Sequence, residues 1–174
     1  MTRHISMLVL TLAAVAGCSP VPATSPVSQS LSSNRVVLAR GGGNLPPVSV
    51  ILPPTFQIRQ GGGVDTQHAE VRGPGIILSS DYGRTGGRQV CGTSAGCKER
   101  SGIVDGREAT WIRYAAASNV GGVGYAERLV FAVRAVPSED PSREPPNFFL
   151  LNGLCATHSD CDLVERIALS TRFG

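Results

Sequence analysis

The motif with the most recognisable chemistry is the stretch Gly-Thr-Ser-Ala-Gly at residues 92–96, which matches G-x-S-x-G and makes Ser94 a candidate nucleophile. In hydrolases this serine lies on a turn between a buried strand and a helix, and a histidine later in the chain accepts its proton. Here polar residues precede and follow the motif, and Cys91 and Cys97 flank it. Small residues between two bridged cysteines are also what a tight loop requires. We therefore expect a structural loop, with Ser94 acting together with His158 as the alternative.

Two histidines downstream of residue 18 each stand close to an acidic residue, as metal ligands often do. Asp65 precedes His68, Asp160 follows His158, and Asp81 is a further candidate ligand. Each acid also has an ordinary role, since Asp65 suits a turn after three glycines and Asp160 suits a helix N-terminus. The glycine clusters lack the G-x-G-x-x-G order of a nucleotide-binding loop. The sequence therefore predicts neither a metal site nor a cofactor.

Paired carboxylates and stacked aromatic rings are the other site candidates. Glycoside hydrolysis needs two acids about 5–10 Å apart. No spacing singles out two of the available acids, which are Asp81, Asp105, Glu108 and Glu127. Trp111, Tyr114 and Tyr125 would suit a sugar-stacking platform, but strand alternation points Trp111 and Tyr114 to opposite faces. We expect Trp111 in the core under a helix, and we expect no catalytic residue.

The N-terminus shows where the protein is sent. A short basic start, an apolar run over residues 5–15 and small residues at 16–17 are typical of a secretory signal peptide. Val15-Ala16-Gly17-Cys18 resembles the lipobox of bacterial lipoproteins. That resemblance implies cleavage before Cys18, a diacylglycerol thioether on its sulfur, and a fatty acyl chain such as palmitate on the new amino terminus. Ser19 implies sorting to the outer membrane, facing the periplasm.

Charge and cysteine content bound the partners and the covalent framework. Removal of Arg3 with the signal lowers the net charge from +3 to +2, which is too small to favour nucleic acid as a partner. Four cysteines remain besides Cys18, and in an exported chain they predict two disulfides with three possible connectivities. We favour the local pairs Cys91–Cys97 and Cys155–Cys161, because short loops close early. The C-x₅-C spacing does not fit a zinc site.

The chain divides into a signal peptide at 1–17, a lipidated cysteine with a Ser/Pro/Gly-rich disordered tether at 18–47, and one domain at 48–174. Within the tether, the apolar residues 36–38 are a segment that can dock onto the domain. Alternation of apolar residues, short apolar runs and turn signals together predict strands at 48–52, 56–59, 68–72, 76–82, 103–104, 109–114, 129–136 and 147–151. The segments 83–101, 118–124 and 137–146 are predicted loops. Leu163, Val164, Ile167 and Ala168 have helical spacing, with Ser159 or Asp160 as the cap. The expected fold is α+β: an antiparallel sheet, stapled by disulfides, with a C-terminal amphipathic helix on one face.

Pro54-Thr55-Phe56 before an early strand, and a final helix leading from Ile167 through Ser170 to Phe173, resemble the PsbP/DcrB-like group of small exported or lipidated proteins. The resemblance implies an antiparallel-sheet fold and an accessory or assembly role. The sequence therefore favours a non-catalytic binding or assembly module anchored to the membrane, whose partner is an envelope protein or peptidoglycan. The alternatives are a small envelope hydrolase, using Ser94 or an acid pair, and a carrier of a small apolar ligand held between sheet and helix.

Overall fold

The structure is a computed structural model, and it describes residues 34–43, 45–62, 66–83, 91, 96–135 and 147–174. The predicted signal peptide, the lipid-attachment residue Cys18, Asp65, Ser94 and the connector at 137–146 lie outside the described residues. The described part contains ten strands and one helix: β1 Arg35–Ala39, β2 Val48–Ile51, β3 Gln57–Gly62, β4 Thr66–Gly73, β5 Ile76–Gly83, β6 Lys98–Val104, β7 Arg107–Val120, β8 Val123–Arg134, β9 Phe148–Cys155, α1 His158–Leu169 and β10 Arg172–Phe173.

Seven of these strands form one antiparallel sheet, in the order β3-β4-β5-β9-β8-β7-β6. β9 lies at its centre, and its sequence FFLLNGLC is nearly continuously apolar because most of its residues are buried. On the face that meets the helix, Leu78, Leu129 and Leu151 are fully buried. The expected fold class, an antiparallel sheet with a C-terminal helix packed on it and two disulfides, is confirmed.

Helix α1 packs on β5, β8 and β9 and also touches β2. Its buried stripe contains Leu163, Val164, Ile167 and Ala168, as the spacing predicts. The helix lies very close to the sheet at Gly153, where a Cβ atom would come within 2.6 Å of Val164 Cγ1. A side chain at residue 153 would therefore force α1 away from the sheet.

The helix begins two residues earlier than the predicted caps allow. Thr157 is the N-cap, and its hydroxyl accepts from the Asp160 N–H at 3.2 Å. Asp160 returns the bond by accepting from the Thr157 N–H at 3.0 Å, which completes a capping box. Asp160 is thus the third helical residue and not the cap itself. The Cys155–Cys161 disulfide joins the end of β9 to the first turn of this helix.

A second, three-stranded sheet has the order β1-β2-β10, and it changes the predicted domain boundary. β1 pairs with β2 in antiparallel register, and Leu38 and Ala39 are each 2% exposed. The tether predicted for 18–47 therefore cannot include residues 35–39, and the folded unit predicted to begin at Val48 already includes Arg35. The reason is that the apolar segment 36–38 pairs with β2. The sequence does not indicate this pairing, because the residues around the segment are mostly polar.

Two predicted loops are also partly strands. Lys98–Ser101 belong to β6, which pairs with β7 through the Asp105-Gly106 turn predicted from the sequence. Residues 118–124, predicted as a loop, contain only a two-residue turn at Gly121-Gly122, because β7 and β8 continue to Val120 and from Val123. Apolar alternation does not predict these additional strand residues, because they are polar and exposed.

Candidate functional site

A cleft lies between α1 and strands β6, β7 and β8, and we call it the α1–β7 cleft. Its volume is about 380 Å³. On the helix side it is lined by His158, Asp162 and Glu165, which lie at positions i, i+4 and i+7 of one helix stripe. Because α1 packs mainly on the central strands, it leaves the same face of the outer strands β6 and β7 uncovered, and the cleft lies there.

Arg113 on β7 forms the floor of the cleft and is only 15% exposed at its side chain. Its Nε donates to Glu127 Oε2 at 2.5 Å, and its Nη1 donates to Asp162 Oδ1 at 2.6 Å. Its Nη2 donates to the His158 carbonyl at 2.8 Å. One guanidinium thus ties strand β8 to the first turns of the helix, with each of its three nitrogens bonded to a different residue.

The His158 ring stands between a donor and an acceptor. Its Nδ1 is 2.8 Å from Arg113 Nη2 and 2.9 Å from Glu127 Oε1. Without a proton Nδ1 accepts from Arg113, and with a proton it donates to Glu127, so a single state of the ring satisfies one neighbour at a time. The His158 side chain is 73% exposed, so these two alternative hydrogen bonds lie at the mouth of the cleft.

The charges at the floor are held in their ionised forms. Burial alone would raise the pKa of Glu127, but the hydrogen bonds from His158 and Arg113 outweigh it and keep that pKa below its ordinary value. The hydrogen bond from Arg113 lowers the pKa of Asp162, against a smaller effect of burial. Burial lowers the pKa of Arg113, yet the bonds to Asp162 and Glu127 reverse that effect and raise it.

Trp111 forms the side wall next to this floor. Its ring packs against the core at 6.3 Å from the Phe131 ring, and its indole N–H donates to Glu165 Oε1 at 3.1 Å. Gly102 on β6 leaves room for the indole, since a Cβ there would lie 3.2 Å from the Trp111 ring. Arg100 donates to the same Glu165 oxygen at 3.2 Å. Trp111 therefore lies beside the helix and partly buried, and not wholly under it as expected from the sequence.

Searches of protein-family models, curated protein sequences and solved structures found no match to this chain. The resemblance to the PsbP/DcrB-like group and the assignment as a bacterial lipoprotein thus remain predictions. Within the ranges that the structure describes, no helix is long and apolar enough to cross a membrane.

The disulfide prediction is confirmed, because Cys91 pairs with Cys97 and Cys155 with Cys161. The first bridge lies immediately before Lys98, and Gly96 and Lys98 border the cleft. Cys155 and Cys161 are fully buried, so the second bridge belongs to the core under the helix.

The histidine and acid candidates are distributed over distant places. His68 and Asp81 form a half-exposed pair on β4 and β5, with Nδ1 and Oδ1 3.2 Å apart. Asp160 serves the helix cap, and His158 lies in the α1–β7 cleft. Among the described residues no three His, Cys, Asp or Glu side chains lie close enough to hold a metal ion.

Of the acids weighed for glycoside chemistry, the structure places Glu127 in the cleft, and Asp105 accepts from the Phe173 N–H at the chain end. Tyr114 borders the cleft together with Trp111, whereas Tyr125 is only 6% exposed and cannot offer its ring face to a sugar.

Sequence reasoning missed five charged residues of the cleft: Lys98, Arg100, Arg113, Asp162 and Glu165. One local signal points to the acids, since His158, Asp162 and Glu165 form a polar stripe at helical spacing beside the apolar one. The partner strand has a signal of period two, since Lys98, Arg100, Trp111 and Arg113 share one face of the β6–β7 hairpin. Neither signal shows that the stripe and the face meet.

Proposed function

We propose that this chain is a lipid-anchored protein of the bacterial cell envelope that binds a partner in the α1–β7 cleft without catalysing a reaction. The anchor is Cys18, the location is the periplasmic side of the outer membrane, and the partner is an envelope protein or peptidoglycan. The observation that carries the binding role is the cleft itself. Its floor charges are paired with one another, while Arg100 and Glu165, which share one contact at 3.2 Å, keep further polar atoms that bond to none of the described residues.

The floor favours a structural role for its ionisable groups. A general acid works best when its pKa lies near the working pH, which for a carboxyl group requires a raised pKa. Glu127 and Asp162 have lowered pKa values and are therefore ionised at neutral pH. Both oxygens of Glu127 are used, one by His158 and one by Arg113. These groups are suited to hold β7, β8 and α1 in a fixed relation, so that the walls present a constant surface to a ligand.

The location is tested by the change Cys18→Ala in the full chain with its signal retained. We expect the protein to move from the membrane fraction to the soluble periplasmic fraction, because the thioether lipid is lost. The matched control is the double change Cys91→Ala and Cys97→Ala, which removes sulfur atoms but leaves Cys18 in place and should keep the protein in the membrane fraction. A Cys18→Ala protein that stays in the membrane fraction contradicts the anchor.

The binding role is tested through Trp111, the only tryptophan of the chain, whose indole borders the cleft. Its emission is measured during titration of the purified full-length protein with soluble peptidoglycan fragments, and separately with detergent-solubilised envelope proteins. A saturable change with one of them, with the ligand recovered at unchanged mass, is the expected result. No change with either contradicts binding at the cleft, and a ligand of altered mass contradicts the non-catalytic role.

A further inference from the structure

The open charges of the α1–β7 cleft are separated by sign between its two walls. Lys98 and Arg100 project from β6, at positions directly opposite Arg113 and Trp111 on β7. Lys98 has no hydrogen bond or ion pair with the part of the chain that the structure describes, and Arg100 is 65% exposed and uses only Nη1 in its bond to Glu165. This wall therefore offers unused N–H donors.

The helix wall offers the complementary groups. Asp162 uses Oδ1 for Arg113, and Glu165 uses Oε1 for both Trp111 and Arg100. The second oxygens, Asp162 Oδ2 and Glu165 Oε2, accept no hydrogen bond from the described residues. A carboxylate offers about four acceptor sites, so both side chains keep capacity for a cationic ligand group. Asp162 is 47% exposed, which leaves it accessible from the cleft.

The cleft as a whole is close to electrically neutral. Lys98, Arg100 and Arg113 are balanced by Glu127, Asp162 and Glu165 when His158 is neutral. A ligand with a large net charge of either sign gains attraction at one wall and repulsion at the other. The walls meet where Arg100 Nη1 donates to Glu165 Oε1 at 3.2 Å, so a ligand that carries both signs gains at both walls by binding the remaining donors and acceptors on either side of that contact.

We infer that the α1–β7 cleft binds a short zwitterionic peptide with free ends, whose carboxylate meets Lys98 and Arg100 and whose ammonium meets Asp162 and Glu165. The Trp111 indole between the walls then covers the apolar middle of the peptide. Clefts of roughly 300–1,000 Å³ bury drug-sized ligands, so a volume of about 380 Å³ suits about two or three small residues. This inference rests on the proposed binding role and specifies its ligand.

The experiment titrates the full-length protein with three probes: tri-alanine with both ends free, its N-acetylated form and its C-amidated form. Trp111 emission reports occupancy, and calorimetry checks each dissociation constant. We expect the free peptide to bind and each blocked form to bind at least about tenfold more weakly, because each loses one charge-assisted contact.

Variants assign the two ends of the peptide. Lys98→Ala and Arg100→Ala should each weaken binding of the free peptide about tenfold, and should remove most of the discrimination against the amide while keeping that against the acetylated form. The matched control is Arg59→Ala, which removes an exposed arginine from β3 at the opposite edge of the same sheet and should leave all three affinities unchanged.

The two proposals fail in different ways. Blocked peptides that bind as tightly as the free one, or a free peptide that does not bind while peptidoglycan fragments or envelope proteins still change Trp111 emission, overturn the zwitterion inference and leave the binding role intact. If none of these ligands changes the emission, both are overturned. Loss of affinity in Arg59→Ala equal to that in Arg100→Ala also overturns the inference, because it places the site elsewhere.

Discussion

Replacing Arg113 by alanine should destabilise the protein by roughly 2–3 kcal/mol. The guanidinium donates to Glu127, Asp162 and the His158 carbonyl. A hydrogen bond to a charged group contributes about 1.5–3 kcal/mol when it is buried, and an exposed ion pair contributes about 0–1 kcal/mol. Arg113 is 15% exposed, whereas Glu127 is 23% and Asp162 47% exposed. We therefore assign about 1 kcal/mol to each of the three contacts of Arg113 and no contribution to the other residues that line the cleft.

The assay is urea unfolding at pH 7 followed by far-ultraviolet circular dichroism, with thermal unfolding alongside. The midpoint should fall with an unchanged denaturant slope, and Tm should fall by roughly 8–12 °C. Arg59→Ala is the control and should stay within about 0.5 kcal/mol of the natural protein. An Arg113→Ala protein that is equally stable would refute the view that this residue holds the helix to the outer strands.

Acid should remove the part of this difference that comes from the two carboxylates, about 2 kcal/mol, and should leave the part that comes from the His158 carbonyl. The pKa values of Glu127 and Asp162 lie below their ordinary values of 4.5 and 3.8 in the folded protein. The unfolded chain therefore binds more protons in this range, and the stability from these contacts is present above about pH 5 and is lost as the pH falls through the folded-state pKa values. The free energies of unfolding of Arg113→Ala and of the natural protein should therefore approach each other once the pH falls below these folded-state pKa values, and the contact with the His158 carbonyl should leave a difference of about 1 kcal/mol. A difference that persists undiminished there contradicts the assignment to carboxylates.

Three other perturbations probe the rest of the fold. Gly153→Ala should lower the free energy of unfolding in urea by about 1–3 kcal/mol, because the new Cβ atom would overlap Val164. Adding Val164→Ala should recover part of that loss. A Gly153→Ala protein as stable as the natural one refutes the close approach of α1. Burial raises the pKa of Tyr82 to about 12, so the free energy of unfolding should fall by about 2–3 kcal/mol as the pH rises from about 10 to 12. If Tyr82→Phe loses the same amount of stability over this pH range, Tyr82 is not its cause. Removing the buried Cys155–Cys161 bridge by a double change to alanine should cost about 2–4 kcal/mol by thermal unfolding, and no shift in Tm speaks against its role as a staple.

Sequence patterning predicts strands with one buried and one exposed face, and also short apolar runs such as the one in β9. The segment 76–82 and the Asp105-Gly106 hairpin follow the rule, because apolar residues alternate or a turn pair requires positive φ angles. β6 fails the rule because Lys98, Glu99, Arg100 and Ser101 are all exposed on an edge strand. β1 does not follow the rule for another reason. Its apolar segment is short, and it forms a strand only because it pairs with β2.

The cleft was beyond prediction because its geometry depends on tertiary contacts. Arg113 and Asp162 are 49 residues apart in sequence, and Arg100 and Glu165 are 65 apart. The helix stripe and the hairpin face are each readable from periodicity, but their meeting depends on how far α1 extends across the sheet, which packing at Gly153 and the central strands decides. The two disulfides, in contrast, were predictable because each closes a loop with a sequence separation of only 6.

The position of β1 limits how far from the membrane this protein can work if Cys18 is its anchor. β1 begins at Arg35, 17 residues after Cys18. A chain advances at most about 3.6 Å per residue, so the first strand can stand no more than roughly 60 Å from the lipid, whatever conformation the intervening backbone adopts. A fold beginning at Val48 would allow about 110 Å. By taking part in a sheet, residues 35–39 shorten the distance that the first strand can reach from the lipid by nearly half, and the α1–β7 cleft can exceed that distance by no more than the width of the folded part.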